Sequence, residues 1–184
     1  MKRWGGAVIT RVPETASNGN GTEGLIFGRN GEGYAITGFT GTTRELIIPA
    51  VHNGLPVVSI GSCAFFRNQL IEVIIPDSVT CIGNLAFAVN QLAYVSIPSN
   101  VIYIGDGAFW GNQLTRITIP DSVTDIGWNA FVGNQLNSIT IGSNVTHIRE
   151  EAFVRNMFLR SVTVPKSTHV APNAFDPSVE IILK

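Results

Sequence analysis

One phrase recurs along the chain every 22 residues: Asn90-Gln91-Leu92, Asn112-Gln113-Leu114 and Asn134-Gln135-Leu136, with Asn68-Gln69-Leu70 before them. No other feature constrains the fold as tightly. A unit of that length, repeated, cannot bury its apolar side alone and has to stack on its copies. The chain therefore reads as a solenoid, and its function is to be sought on a stacked surface.

Alignment on Leu70, Leu92, Leu114, Leu136 and, after a one-residue insertion, Leu159 gives each slot of the coil a meaning. Three and five residues on come β-branched pairs such as Val73 and Ile75, Val95 and Ile97, and Ile117 and Ile119. Their alternation predicts a short half-buried strand, stacked into a parallel sheet. Pro76, Pro98, Pro120 and Pro165 stop that strand, and Gly142 takes the slot once. A second extended arm follows, pointing Val79 and Ile82, Val101 and Ile104, and their equivalents inward, with Gly83, Gly105 and Gly127 behind it to allow a bend.

Every coil then carries Ala-Phe: Ala64-Phe65, Ala86-Phe87, Ala108-Phe109, Ala130-Phe131, Ala152-Phe153 and Ala174-Phe175. Six phenylalanines in one slot imply an aromatic column in the core, and the small alanine leaves room for a short helical turn. Asn68, Asn90, Asn112, Asn134 and Asn156 close the coils. An amide there can serve backbone groups of its own coil and of its neighbour, so these residues are expected to form a structural ladder.

The ends differ from the middle. Leu25-Ile26-Phe27 and Tyr34-Ala35-Ile36 flank a glycine-rich turn and predict a β-hairpin with an Asn30-Gly31 turn, covering the first coil. The order Gly28, Gly31, Gly33 matches neither phosphate-binding fingerprint, and no helix pattern follows it. The first coil carries about five extra residues around His52-Asn53-Gly54-Leu55-Pro56. Residues 1–23 are expected to form a flexible arm, Pro/Thr/Ser/Asn/Gly-rich from residue 13, leaving 24–184 as the solenoid with its hairpin cap.

Composition narrows the function. Twelve basic residues against thirteen acidic ones provide no excess charge to neutralise phosphates, which argues against nucleic acid as a partner. No apolar run approaches a membrane span, and the first residues lack the long uninterrupted apolar centre of a signal peptide. Cys63 and Cys81 are offset by about four residues around the coil, beyond disulfide reach in extended backbone, and are expected to be free thiols.

The stretch from Gly33 to Leu183 resembles the BspA-like, or Treponema pallidum-type, leucine-rich repeats. The resemblance rests on Tyr34-Ala35-Ile36-Thr37-Gly38-Phe39, on Ile48-Pro49 with Gly54-Leu55-Pro56-Val57, and above all on Leu114 to Phe131, with Pro120, Gly127 and Ala130 in place. It implies a leucine-rich-repeat solenoid of stacked coils of 22 or 23 residues, with a parallel β-sheet on its concave face. For function it implies a bacterial protein-binding or adhesin-like role at a surface or periplasmic location, with no catalytic motif to transfer.

Searching for chemistry yields little. His52, His147 and His169 read as falling at unrelated coil positions without a carboxylate pair or cysteine at ligand spacing, so neither a metal nor another cofactor is expected. No serine sits in a nucleophile elbow, and the chain is expected not to be an enzyme. Asn20-Gly21-Thr22 and Asn144-Val145-Thr146 match the glycosylation pattern through turn and repeat composition.

What remains is the outward side of the strands. Alternation aims Glu45, Glu72, Tyr94, Arg116, Ser138 and Ser161 away from the core in one row, and Ile47, Ile74, Ser96, Thr118, Thr140 and Thr163 in the other. The hydroxyl half is an ordinary β surface. The half with Glu45, Ile47, Glu72, Ile74, Tyr94 and Arg116 combines apolar, aromatic and arginine side chains, the composition of partner-binding patches, and is the candidate site. Phe66 and Trp110, in the slot after the buried phenylalanines, form a secondary candidate. The expected function is a non-catalytic protein-interaction module using the concave sheet, the alternative a scaffold that associates weakly with itself through its coil ends.

Overall fold

The computed structural model describes residues 21–184, so residues 1–20 of the expected arm lie outside the described residues. Thr22 is already docked: its N–H donates to Ile47 O (2.9 Å), and Ile47 N–H donates to the Thr22 hydroxyl (2.7 Å). Strands β1 (Leu25–Asn30) and β2 (Gly33–Phe39) form the expected hairpin, but Asn30 pairs with Gly33. The turn residues are therefore Gly31 and Glu32, one position beyond the expected Asn30-Gly31. Hairpin turns with a positive φ at their first central residue favour glycine or asparagine there, and Gly31 has φ 59°.

The first coil holds β3 (Glu45–Ile47), β4 (Val51–His52) and β5 (Leu55–Ile60). Its extra residues form a small antiparallel ribbon between β4 and β5. The turn residues Asn53 and Gly54, at φ 47° and 77°, both occupy the left-handed region, as a type I′ turn demands. The His52 ring stacks on Phe27 at 3.7 Å and ties this ribbon to the cap.

Further coils add β6 (Glu72–Ile74), β7 (Cys81–Ile82), β8 (Tyr103–Ile104), β9 (Arg116–Thr118), β10 (Asp125–Ile126), β11 (Ser138–Thr140), β12 (His147–Ile148), β13 (Ser161–Val164), β14 (His169–Val170) and β15 (Glu180–Leu183). The first arms make parallel sheets β3-β6 and β9-β11-β13-β15, separated by the Tyr94 coil, which pairs with neither. Around that coil the inter-coil bond from Thr115 N–H to Ala93 O is stretched to 3.4 Å, whereas the equivalent bond from Asn137 N–H to Thr115 O is 2.9 Å. The second arms build a longer sheet, β1-β2-β5-β7-β8-β10-β12-β14, continuous with the hairpin cap.

No helix occurs among the described residues; the Ala-Phe segment is a tight hydrogen-bonded turn. Within it Phe66 N–H reaches Cys63 O, but Phe65 N–H donates to Ala86 O and Phe87 N–H to Ala108 O. Donors that a helix would use along its own axis are spent on the next coil. The five turns from Ala64-Phe65 to Ala152-Phe153 each carry two left-handed positions, seen at Leu85 and Val89, at Gly107 and Gly111, and at Asn129 and Gly133.

The core follows the repeat. Phe65, Phe87, Phe109, Phe131 and Phe153 are fully buried, and from Phe65 to Phe175 successive rings stack 5.1 to 5.4 Å apart. Burying each such ring contributes about 1.5–3 kcal/mol relative to leaving it exposed. Phe39 of the cap closes the column, tilted against Phe65 at 5.8 Å. The asparagine ladder forms beside it. Asn112 Nδ2 donates to Phe87 O and Phe109 O, while its Oδ1 accepts from Leu92 N–H. Asn134 repeats the pattern one coil on.

Candidate functional site

Two surfaces carry the chemistry, one on each arm of the coil. On the first arm, Glu45 pairs with Glu72 and Ile47 with Ile74 across β3 and β6, and Arg116 faces Ser138 across β9 and β11. Glu45, Glu72, Tyr94 and Arg116 are all exposed, Tyr94 to 45%, as strand alternation requires. Ile47 and Ile74 are half-buried, less open than the sequence reading expects. Thr22, hydrogen-bonded alongside Ile47, occupies the free edge of β3. The apolar contribution to this face is thus smaller, and its exposed side chains carry two carboxylates, a phenol and a guanidinium.

The secondary candidates separate. Phe66 is half-buried and its ring lies under the Arg67 guanidinium at 5.0 Å, whereas Trp110 is 40% exposed. Ala88 and Val132, in the same slot, are buried between coils. Trp128 is also exposed, held by a hydrogen bond from its backbone N–H to Asp106 Oδ1 (2.9 Å).

The second arm holds what the sequence reading missed. His147 and His169 do not fall at unrelated positions: β12 and β14 place them side by side, with ring centroids 5.8 Å apart. Their 22-residue separation was the available signal. The same register brings Cys81, Tyr103 and Asp125 into the row with them. Arg149 grips Asp125 with two bonds, Nε to Oδ1 at 2.8 Å and Nη2 to Oδ2 at 2.9 Å. Burial raises the Tyr103 hydroxyl above its ordinary range, helped by the charges of Asp106 and Asp125, and burial likewise raises the Cys81 thiol. Cys81 is therefore a poor nucleophile. Both cysteines are free. His52 lies apart, in the first-coil ribbon.

Among the described residues no three His, Cys, Asp or Glu side chains converge as metal ligands, and no helix is long and apolar enough to cross a membrane. Six copies of the BspA type leucine rich repeat region match residues 58–181, most of the chain. The chain belongs to this family. Solved structures with the same fold include a leucine-rich repeat protein of Bacteroides ovatus (20% identity, TM-score 0.65, covering 89% of this chain and 52% of that one). A leucine-rich cell surface protein of Faecalibacterium prausnitzii is similar at 26% identity and TM-score 0.62, over 88% of this chain and 53% of its own. The T. pallidum leucine-rich repeat protein matches at 20% identity and TM-score 0.62, over 90% and 85%. The chain spans about half the length of the Bacteroides and Faecalibacterium proteins. Among curated proteins none matches it.

Proposed function

We propose that this BspA-type repeat chain is a non-catalytic protein-binding module that engages its partner through the N-terminal half of the concave face, around Glu45, Glu72, Tyr94 and Arg116. The supporting observation is the exposure of Tyr94 and Arg116 on successive coils beside a carboxylate pair. Tyrosine and arginine supply large contact area and several hydrogen-bonding groups for little lost side-chain freedom, which is why they dominate binding energy at interfaces. Ser138, Thr140, Ser161 and Thr163, further along, offer small hydroxyls that water already satisfies. The Faecalibacterium neighbour is named a cell surface protein, which supports an adhesin-like role on the bacterial exterior.

The test is capture of a protein partner by a photoreactive side chain placed at Ser96, beside the patch, followed by titration of that partner. Tyr94→Ala/Arg116→Ala is expected to bind at least tenfold more weakly, and Thr140→Ala/Thr163→Ala to match the wild type. Unchanged affinity in the first pair, with circular dichroism showing intact folding, would move the site to the Trp110 edge.

A second reading has its own observation. β15 leaves Ile181, Ile182 and Leu183 exposed beside a strand edge, and such an edge invites pairing with another copy. Concentration-dependent light scattering tests this, and a monomer throughout removes it.

A further inference from the structure

The tautomer of His147 is set by its neighbour. The Thr146 hydroxyl has one proton, and Thr146 Oγ1 lies 2.8 Å from Thr124 O, an acceptor to which that proton must go. Its oxygen is left as an acceptor, and His147 Nδ1 sits 3.0 Å away. Nδ1 therefore carries the imidazole proton, and the lone pair of the neutral ring resides on Nε2. Asp125 Oδ2, 3.8 Å from Nδ1, favours the same arrangement. A carboxylate or hydroxyl that fixes the protonated nitrogen of a histidine is the support found behind metal-ligating imidazoles.

His169 stands on the adjoining strand in direct register, and its ring centroid is 5.8 Å from that of His147. Two imidazoles bound to one tetrahedral cation at about 2.0–2.1 Å per nitrogen have ring centres roughly 5–6 Å apart, and the spacing of this pair falls in that range. Arg149, which lines the same shallow recess as the pair, is already bonded twice to Asp125, and Glu150 lines the recess too. Both histidines are exposed.

We infer that His147 and His169 form a two-histidine site for a divalent transition cation of the zinc class, with water in the remaining positions. Imidazole nitrogen suits Zn2+, Ni2+ and Cu2+ and discriminates against Mg2+ and Ca2+, which take oxygen ligands. Two protein ligands make the site exchangeable and leave positions open on the outer surface of the second sheet. This face is distinct from the one carrying Tyr94 and Arg116.

Titration calorimetry with Zn2+ tests the assignment in a Cys63→Ser/Cys81→Ser background, which removes the thiols as competing ligands. One ion per chain is expected, with affinity at least tenfold weaker in His147→Gln and in His169→Gln and unchanged in His52→Gln. The exchange-broadened or shifted Nε2 resonances on Zn2+ addition should belong to His147 and His169. Absence of binding at millimolar Zn2+, or full affinity in either variant with circular dichroism matching the parent, would overturn the assignment.

Discussion

The side-chain amide of Asn112 bridges two coils at the foot of the phenylalanine column, donating to Phe87 O at 2.9 Å and to Phe109 O at 3.1 Å. Its oxygen also takes Leu92 N–H at 3.1 Å. Phe87 O and Phe109 O keep second donors in Asn90 Nδ2 and Asn134 Nδ2, so truncation strands Leu92 N–H and removes one bond from each carbonyl. Asn112→Ala is expected to destabilise the protein by about 2 kcal/mol, since one unsatisfied buried N–H costs about 1–3 kcal/mol. Urea unfolding measures this. Gln113→Ala, next door and exposed, should stay within about 0.5 kcal/mol of the wild type; equal losses in the two variants would mean that the ladder is not the stabilising element.

Two glycines test two different reasons for having no side chain. A Cβ on Gly105 would lie 2.7 Å from the backbone carbon of Gly83, in the preceding coil, whereas a Cβ on Gly133 meets nothing within 4 Å. Gly105→Ala must push two coils apart and is expected to cost about 2 kcal/mol or more. Gly133→Ala keeps its space but holds alanine at φ 66°, an expected loss of about 1 kcal/mol. Denaturation midpoints read both. A neutral Gly105→Ala would show that the coils are not in close backbone contact there.

Asp121 links stability to acid. Ser143 N–H, at 2.6 Å, and the Ser143 hydroxyl, at 3.0 Å, hold its carboxylate in the ionised form and lower its pKa below the ordinary value. A lowered folded-state pKa contributes stability above the unfolded value of about 3.9, and that contribution fades as pH falls through the folded value. The difference in urea midpoint between the wild type and Asp121→Ala is therefore expected to shrink from pH 6 to pH 2.5. A constant difference across that range would show that the ionised form is not specifically bound.

The strands, the aromatic column and the asparagine ladder were legible because the repeat states each of them five or six times. Phe109 says little alone, but Phe65 to Phe175 at one spacing can only stack. Features that occur once were harder to read. An Asn-Gly pair marks a turn at Asn30-Gly31 and equally at Asn53-Gly54, but only strand register shows that the second is the centre of a type I′ turn and that the first is displaced to Gly31-Glu32. The helical turn expected at Ala-Phe gave way to a tight turn because inter-coil carbonyls such as Ala86 O and Ala108 O compete for its N–H groups, and no local sequence signal records a competitor 22 residues away.

For the candidate sites the division is similar. The period and alternation of the sequence alone determined that Glu45, Glu72, Tyr94 and Arg116 face outward, since a strand with one buried face leaves its alternate residues no other direction. The tertiary structure decided how open each position is: it half-buried Ile47 and Ile74 and brought Thr22 alongside β3. It also decided the chemistry of the second sheet. The 22-residue spacing of His147 and His169 is written in the chain, but the proton on His147 Nδ1 depends on where the Thr146 hydroxyl points, and that is set by Thr124 O in the preceding coil. Periodicity fixes which residues stack; hydrogen bonds between coils, which depend on three-dimensional distance and angle, fix what the stacked side chains can do.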